Sequence, residues 1–457
     1  MRSLVVSSIV IATLAAAQDS KRPNIVLLFA DDAGWADFSM HRSTTHATPH
    51  IDRIAKEGVR CIAGYVSAPV CAPSRAGLLT GRYQQRFGFE FNLPGQQAKP
   101  GFLRGLPKSE LTVATLLKKA GYRTGLIGKW HQGKADACHP NARGFDHFFG
   151  MIGGSSPYSP GLAKRIVRNR ERLAAENLPY LTDAFGDEAC AFMEKQASQT
   201  QPFFLFVSFN APHGPMQPPE DAMQKMRPDF ETKVRAANAA MTRSLDDNVG
   251  KILARLDSLK LARNTLVVFT NDNGGAMPYN GSLNEPYAGT KGTFLEGGVR
   301  VPFIVRWPGR LAAGKTYDAP VSTLDLLPTF CAAAGATLPA DRTYDGVDLV
   351  PFLTGAKEGI PHEALFWRLD DVAAIRHGQW KLIRFAEHPP RLHDLMADPS
   401  ERKNVAAGTA KVRQDLLARI ASWEKQLTEP HWTRARKWRQ HSYERYDQAK
   451  VDGWKRR

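Results

Sequence analysis

Apolar residues gather in five short runs: Asn24 to Ala30, Arg123 to Ile127, Phe203 to Phe209, Leu266 to Thr270 and Pro302 to Arg306. Each is too short for a helix, rich in valine, isoleucine or phenylalanine, and without polar alternation, which predicts strands buried on both faces. Helical patterns fall between them. Thr48 and Pro49 open one that ends near Gly58, Ser109 caps one that ends near Gly121, and about Glu231 to Leu259 reads as a long helix with an exposed polar face. Strands alternating with helices predict an α/β fold, a sheet covered on both faces. No internal repeat or low-complexity stretch interrupts the pattern.

One apolar run stands apart. Arg2, the run from Leu4 to Leu14 and the small residues Ala15, Ala16 and Ala17 have the form of a cleavable export signal over residues 1–17, predicting a periplasmic or secreted protein. The run is too short to span about 30 Å of hydrocarbon, and Ser7 and Ser8 interrupt it. No other stretch has the length for stable membrane insertion.

The chain has 457 residues, 43% of them hydrophobic, which excludes global disorder and predicts one large domain with a smaller companion. Lysine and arginine exceed aspartate and glutamate by 16, a bias toward anionic partners that leaves nucleic acid, acidic membrane and polyanionic glycan open. Part of that excess lies in a basic tail, residues 431–457, where Trp432, Trp438, Tyr443, Tyr446 and Trp454 interleave with the charges. Such a pattern stacks on nucleic acid or packs its aromatics on the body; for an exported protein the second reading is preferred and no nucleic-acid partner is expected. Five cysteines, Cys61, Cys71, Cys138, Cys190 and Cys331, are too few and scattered for a stapled miniature fold or a C-x-x-C metal site. Their odd number leaves one outside intramolecular pairing; the other four form two disulfides or remain buried thiols.

Chemistry-bearing residues follow the strands. Asp31 and Asp32 follow the first, Lys129 and His131 the second, His213 the third, Asp272 and Asn273 the fourth. Ligands of open α/β sheets sit beyond the carboxyl ends of the strands, so these clusters are expected to share one crevice. Asp31, Asp32, Asp272 and Asn273 offer only oxygen, the donor set of calcium or magnesium rather than zinc. Three carboxylates in one pocket repel one another, which makes a cation a requirement of their convergence.

The segment Cys71-Ala72-Pro73-Ser74-Arg75, continued by Ala76-Gly77-Leu78-Leu79-Thr80-Gly81-Arg82, reads as a loop entering a short helix whose amides, with Arg75, form an anion site. It resembles the signature of type I sulfatases of the alkaline-phosphatase superfamily, in which the cysteine is oxidised to formylglycine. Gly121, Tyr122, Thr124, Gly128, Lys129 and His131 match a second signature of that family. Further similar segments are Pro23 to Asp32, Ala211-Pro212-His213, Asn271 to Gly274, Lys291 to Pro302, and Leu392 to Asn404, so the likeness runs from about Lys21 to about Ala407.

The resemblance implies an alkaline-phosphatase-like central mixed sheet covered by helices on both faces, residues 21–355, and a small C-terminal domain of antiparallel sheet plus helix, residues 356–430. It implies Cys71, as formylglycine, with Asp31, Asp32, Asp272 and Asn273 on one Ca2+, magnesium being the alternative. Cys71 is then the unpaired cysteine, and a formylglycine-generating enzyme is a partner. In the implied mechanism a geminal diol on residue 71 attacks sulfur, helped by Asp272, while Arg75, Lys129 and Lys291 hold the sulfate. His213, with Lys291, protonates the leaving oxygen, and His131 takes the proton of the second hydroxyl so that sulfate is expelled.

The alternatives are a phosphomonoester or phosphonate hydrolase of the same superfamily and a catalytically silent polyanionic-glycan binding protein. The expected substrate is a sulfated glycan of galactose or N-acetylgalactosamine type, touched by loop residues such as His139, Arg143, Tyr158, Tyr279 and Asn280. The region from Phe87 to Glu90 is similar to bacterial polysaccharide sulfatases, carrageenan being one such substrate. Sulfate position, exo or endo action and oligomeric state are not specified by the sequence.

Overall fold

The Asn24–Ala30 strand is buried at all seven positions. Val26, Leu28 and Ala30 enter one core while Ile25, Leu27 and Phe29 enter another on the opposite face, which is why the run shows no polar alternation. In this computed structural model, which describes residues 22–41, 46–93, 101–163 and 165–449, that strand is central in a ten-stranded sheet. The expected export signal and Trp454 lie outside the described residues.

The sheet order is Lys315–Tyr317, Val59–Cys61, Phe303–Arg306, Thr265–Asn271, Asn24–Ala30, Phe203–Ser208, Arg123–Lys129, His147–Met151, Ile166–Arg168, Glu171–Arg172. The five strands from Thr265–Asn271 to His147–Met151 run parallel, and Phe303–Arg306 pairs antiparallel with its neighbour, so the sheet is mixed. Helices Pro49–Lys56, Leu181–Ala197 and Lys233–Ser258 cover one face through Ile51, Phe185 and Leu245. Val113–Lys119 and Leu326–Ala334 cover the other through Leu117 and Phe330.

One helix starts later than expected. Thr112, not Ser109, caps Val113–Lys119, its hydroxyl accepting from the Thr115 amide. The stretch before it is held away from helical geometry by Arg143, which donates to the carbonyls of Pro107 and Glu110.

The chain then forms a four-stranded antiparallel meander, Ala364–Leu369, Val372–His377, Trp380–Phe385 and Arg391–Asp394, backed by helix Ala410–Glu424 through Leu416 and Ile420. The tail carries helix Arg436–Gln448. Trp432, Tyr443 and Tyr446 are buried, and Arg434 pairs with Asp370 and Asp371, so aromatics and charge alike are used against the body. All five cysteines are free thiols. Among the described residues no helix is long and apolar enough to cross a membrane.

Candidate active site

Parallel registry brings the strand ends to one edge. Ala30 stands opposite Asn271, Phe29 opposite Ser208, and Gly128 opposite Ser208, so the residues that follow each strand meet above the sheet. Two of them, Asp32 with φ 61° and His131 with φ 56°, adopt the left-handed backbone that costs a non-glycine residue about 1 kcal/mol or more. Hydrogen bonds hold them there. Asn280 Nδ2 donates to the Asp32 carbonyl at 2.9 Å, the Asp32 amide donates to Asp272 Oδ1 at 3.2 Å, and the His131 amide donates to the Ile152 carbonyl at 3.1 Å. Gly128, at φ 107°, lets the strands close: a Cβ there would lie 1.9 Å from the Ser208 carbonyl oxygen.

Cys71 is the first residue of helix Cys71–Thr80, which is buried along its whole length. Pro73 falls in the first turn, where a missing amide hydrogen is harmless. Val70 provides no side-chain cap; the Ala72 amide donates instead to Asn92 Oδ1 at 2.9 Å and the Ser74 amide to the Val70 carbonyl at 3.3 Å, so what the helix brings to Cys71 is the partial positive charge of its N-terminal end. Lys291 Nζ lies 3.2 Å from Cys71 Sγ, which in turn is 3.7 Å from Asp31 Oδ1 and 4.0 Å from Asp32 Oδ1. One turn on, Arg75 donates through Nε and Nη2 to Asp272 Oδ2 at 3.0 and 2.9 Å, and through Nη1 to Ser208 Oγ at 2.6 Å.

Each carboxylate therefore has a cationic partner: Asp31 has Lys129 at 2.5 Å, Asp32 has Lys291 at 2.6 Å, and Asp272 has Arg75 at 2.9 Å. This corrects the sequence-based argument that repulsion alone demands a metal, because three basic side chains already supply the counter-charge. The residues nevertheless fit a hard divalent cation. Asp31, Asp32 and Asp272 are buried oxygen donors, and the buried Asn273 Oδ1 has no hydrogen-bond partner. Asp31, Asp32, Cys71 and His213 each place a ligand-capable atom within 4.8 Å of the others.

Burial and charge set the protonation states. Burial pushes the Cys71 thiol up to about 12 in spite of Lys129 and Lys291, so an unmodified thiol here is a poor nucleophile. Burial and the Asp31 charge push Asp272 up to about 6 against the pull of Arg75. Burial also raises Asp32, but Lys291, His213 and Lys129 outweigh it and hold that carboxyl well below the usual range. Burial brings His213 down to about 4, opposed by Asp32. Its Nδ1 lies 2.6 Å from the Gly214 carbonyl and acts as donor to it, which leaves Nε2 facing Asp32 Oδ2 at 3.6 Å. His131 is lowered by burial and by the charges of Lys129, Arg75 and Lys291, and its Nδ1 is buried without a partner.

Residues 23–336 match the sulfatase family, and residues 290–426 match the N-sulphoglucosamine sulphohydrolase C-terminal family. The chain belongs to the sulfatase family. It is 36% identical over 391 residues to the N-acetylgalactosamine-6-sulfatase of Canis lupus familiaris, spanning 81% of this chain and 73% of that protein. It is 32% identical to the steryl-sulfatase of Mus musculus, spanning 87% and 81%. Among solved structures, Ps i-CgsB in complex with k-i-k-neocarrahexaose superposes with a TM-score of 0.85 at 34% identity, covering 93% of this chain and 99% of that one. The protein is thus a sulfuric ester hydrolase on an α/β sulfatase fold.

The candidate site gathers Asp31, Asp32, Cys71, Arg75, Lys129, His213, Asp272, Asn273 and Lys291 in one set of contacts. His131 stands at its margin, making no side-chain hydrogen bond to the others. The loop residues expected to touch sugar divide differently. Asn280 holds the Asp32 carbonyl, and Tyr158 donates to the carbonyls of Asn210 and His213, so both position the site from behind. Arg143 is buried on the Pro107 loop and His139 caps a short turn, whereas Tyr279 is exposed. Ser208 and Arg445 were not foreseen. Ser208 Oγ anchors Arg75 and donates to the Lys129 carbonyl at 2.8 Å, while Arg445, from the tail helix, donates to the Lys291 carbonyl.

Proposed function

We propose that this sulfatase removes ester sulfate from a sulfated carbohydrate of galactose or N-acetylgalactosamine type, with Cys71 converted to formylglycine and calcium held by Asp31, Asp32, Asp272 and Asn273. The observation that carries the reading is the placement of Cys71 Sγ at a helix N-terminus, 3.2 Å from Lys291 Nζ and within 4.0 Å of Asp31 and Asp32. The hydrated aldehyde supplies an oxygen nucleophile with a second hydroxyl on the same carbon, and the cation favours its ionised form and neutralises sulfate charge.

The chain's own groups do the rest. Arg75, Lys129 and Lys291 surround position 71 with positive charge, and the positive end of the helix dipole adds to it, which favours charge build-up on the sulfate oxygens. His213, fixed by Gly214, delivers a proton from Nε2 to the departing sugar oxygen with Lys291 beside it. Burial and the charges of Lys291 and Lys129 favour the neutral imidazole, whose proton sits on Nδ1, whereas Asp32 and the negative charge of an arriving sulfate favour the imidazolium that carries the Nε2 proton. His131, neutral in its buried setting and with Nδ1 unpartnered, accepts the proton that lets sulfate leave.

A carbohydrate is preferred over a sterol or aryl ester because a carrageenan-bound structure aligns along nearly the whole chain and residues 290–426 match a sugar sulfohydrolase C-terminal family. Export through residues 1–17 and a modifying enzyme that acts on Cys71 belong to the same proposal. Peptide mass analysis of the Cys71 segment from active protein tests it: the expected mass is that of an aldehyde, and an intact thiol at full activity overturns the scheme. Cys71→Ala should abolish turnover of a sulfate ester, and the phosphate ester of the same alcohol should react more slowly.

A further inference from the structure

The residue that follows Cys71 is held at each group it has. The Ala72 amide donates to Asn92 Oδ1 at 2.9 Å, the Ala72 carbonyl accepts from Gln132 Nε2 at 2.9 Å, and the methyl group is buried in one cluster with Phe87, Phe89, Leu106 and Trp432. That amide shares a rigid peptide plane with the Cys71 carbonyl, so its direction fixes the ψ angle of Cys71 and with it the heading of the side chain. Gln132 reaches further. The same Nε2 donates to the His131 carbonyl at 3.0 Å, so one nitrogen bridges the segment after Cys71 and the residue placed to accept a proton. Gln132 is wholly buried, and its own carbonyl accepts from the Leu106 amide at 2.9 Å. Its Oε1 is buried without a hydrogen-bond partner, a cost that an apolar side chain of similar size would avoid. Stability alone therefore does not ask for glutamine here; the two carbonyls beside the reaction centre do. On the other side, Asn92 sits on a braced strip. Trp432 Nε1 donates to the Phe91 carbonyl at 3.0 Å, its ring meets Phe89 edge-on with centroids 4.8 Å apart, and Arg368 Nε donates to Glu90 Oε1 at 3.1 Å.

We propose that Asn92 and Gln132 are positioning residues for sulfate-ester hydrolysis. Asn92 sets the peptide plane that aims residue 71, and Gln132 ties that segment to His131, so that nucleophile and proton acceptor keep a fixed separation. The inference rests on the hydrolase reading and adds to it two side chains that act through main-chain groups.

The test uses the full-length protein, with rates expressed per chain converted at position 71 as counted by peptide mass analysis. Asn92→Ala and Gln132→Leu should each lower kcat on a galactose-type sulfate ester about tenfold with little change in KM, since Arg75, Lys129 and Lys291 still hold the sulfate. Asn92→Asp keeps an acceptor for the Ala72 amide and should restore kcat. Hydrogen exchange at the Ala72 amide is a second readout, independent of turnover: it should be faster in Asn92→Ala than in the parent and slow again in Asn92→Asp. Parental kcat per converted chain in both Asn92→Ala and Gln132→Leu, or unchanged Ala72 exchange in Asn92→Ala, overturns the inference and leaves the hydrolase reading standing. Should Gln132→Leu fail to fold, the two Asn92 variants decide alone. Absence of turnover of any sulfate ester by the converted parent protein overturns the hydrolase reading, and the positioning role falls with it.

Discussion

At the scale of single residues, Arg75 shows why the chemistry of this pocket is exacting. Its guanidinium forks onto Asp272 Oδ2 and reaches Ser208 Oγ at the same time, a planar geometry that an ammonium group cannot reproduce. Arg75→Lys should therefore keep the charge yet lower kcat/KM for a sulfate ester by about 100-fold, with little change in Tm. Parental kinetics would remove Arg75 from the anion-binding set. Which residues gather at the candidate site was legible in the sequence, since Asp31, Asp32, Lys129, His213 and Asp272 each follow an apolar run. What supports them was not. Asn280 holds a carbonyl 248 positions away, and Ser208 grips a guanidinium from 133 away; such partners leave no local pattern. The same blindness explains why Tyr158 and Asn280 read as sugar contacts: a polar side chain in a loop looks alike whether it faces ligand or backbone.

At the scale of elements, the strands fell where the apolar runs placed them because burial on both faces leaves no alternative reading, whereas the tail helix acquires its meaning only from distant contacts. Arg445 donates to the Lys291 carbonyl and rests against Tyr279, and Tyr446 Oη accepts from the Phe294 amide at 2.7 Å. Together they pin both sides of the loop that carries Lys291. Removing residues 431–457 should thus lower kcat far more than it alters the affinity for inorganic sulfate, and Arg445→Ala alone should do so by about tenfold. A matched loss in the Arg445→Lys variant is not expected, since lysine retains a donor for the same carbonyl. Full kcat in the truncated chain would show that the loop holds Lys291 unaided.

At the scale of the whole molecule, buried ionisable groups link stability to pH in opposing directions. His393 is wholly buried, and burial with the nearby charge of Lys381 brings it down to about 4; Nδ1 donates to the Lys403 carbonyl. Below pH 6.5 the unfolded chain gains a proton that folded His393 refuses, so its contribution is complete above that pH and is lost as the pH falls toward about 4. Glu90 and Glu401, each raised by burial to about 7, act the other way and favour the folded chain while protonated. The fall in Tm between pH 7 and pH 5 should consequently be smaller in His393→Gln than in the parent, and an identical fall would separate His393 from acid sensitivity. The burial of helix Cys71–Thr80 has a consequence in time. With position 71 only 1% exposed, no foreign catalyst can enclose that side chain in the finished protein. Under the proposed conversion to formylglycine, oxidation would have to precede closure of the sheet around it, so the yield of competent molecules would be decided by a race during biogenesis, and a chain that closed first would stay inert for its lifetime.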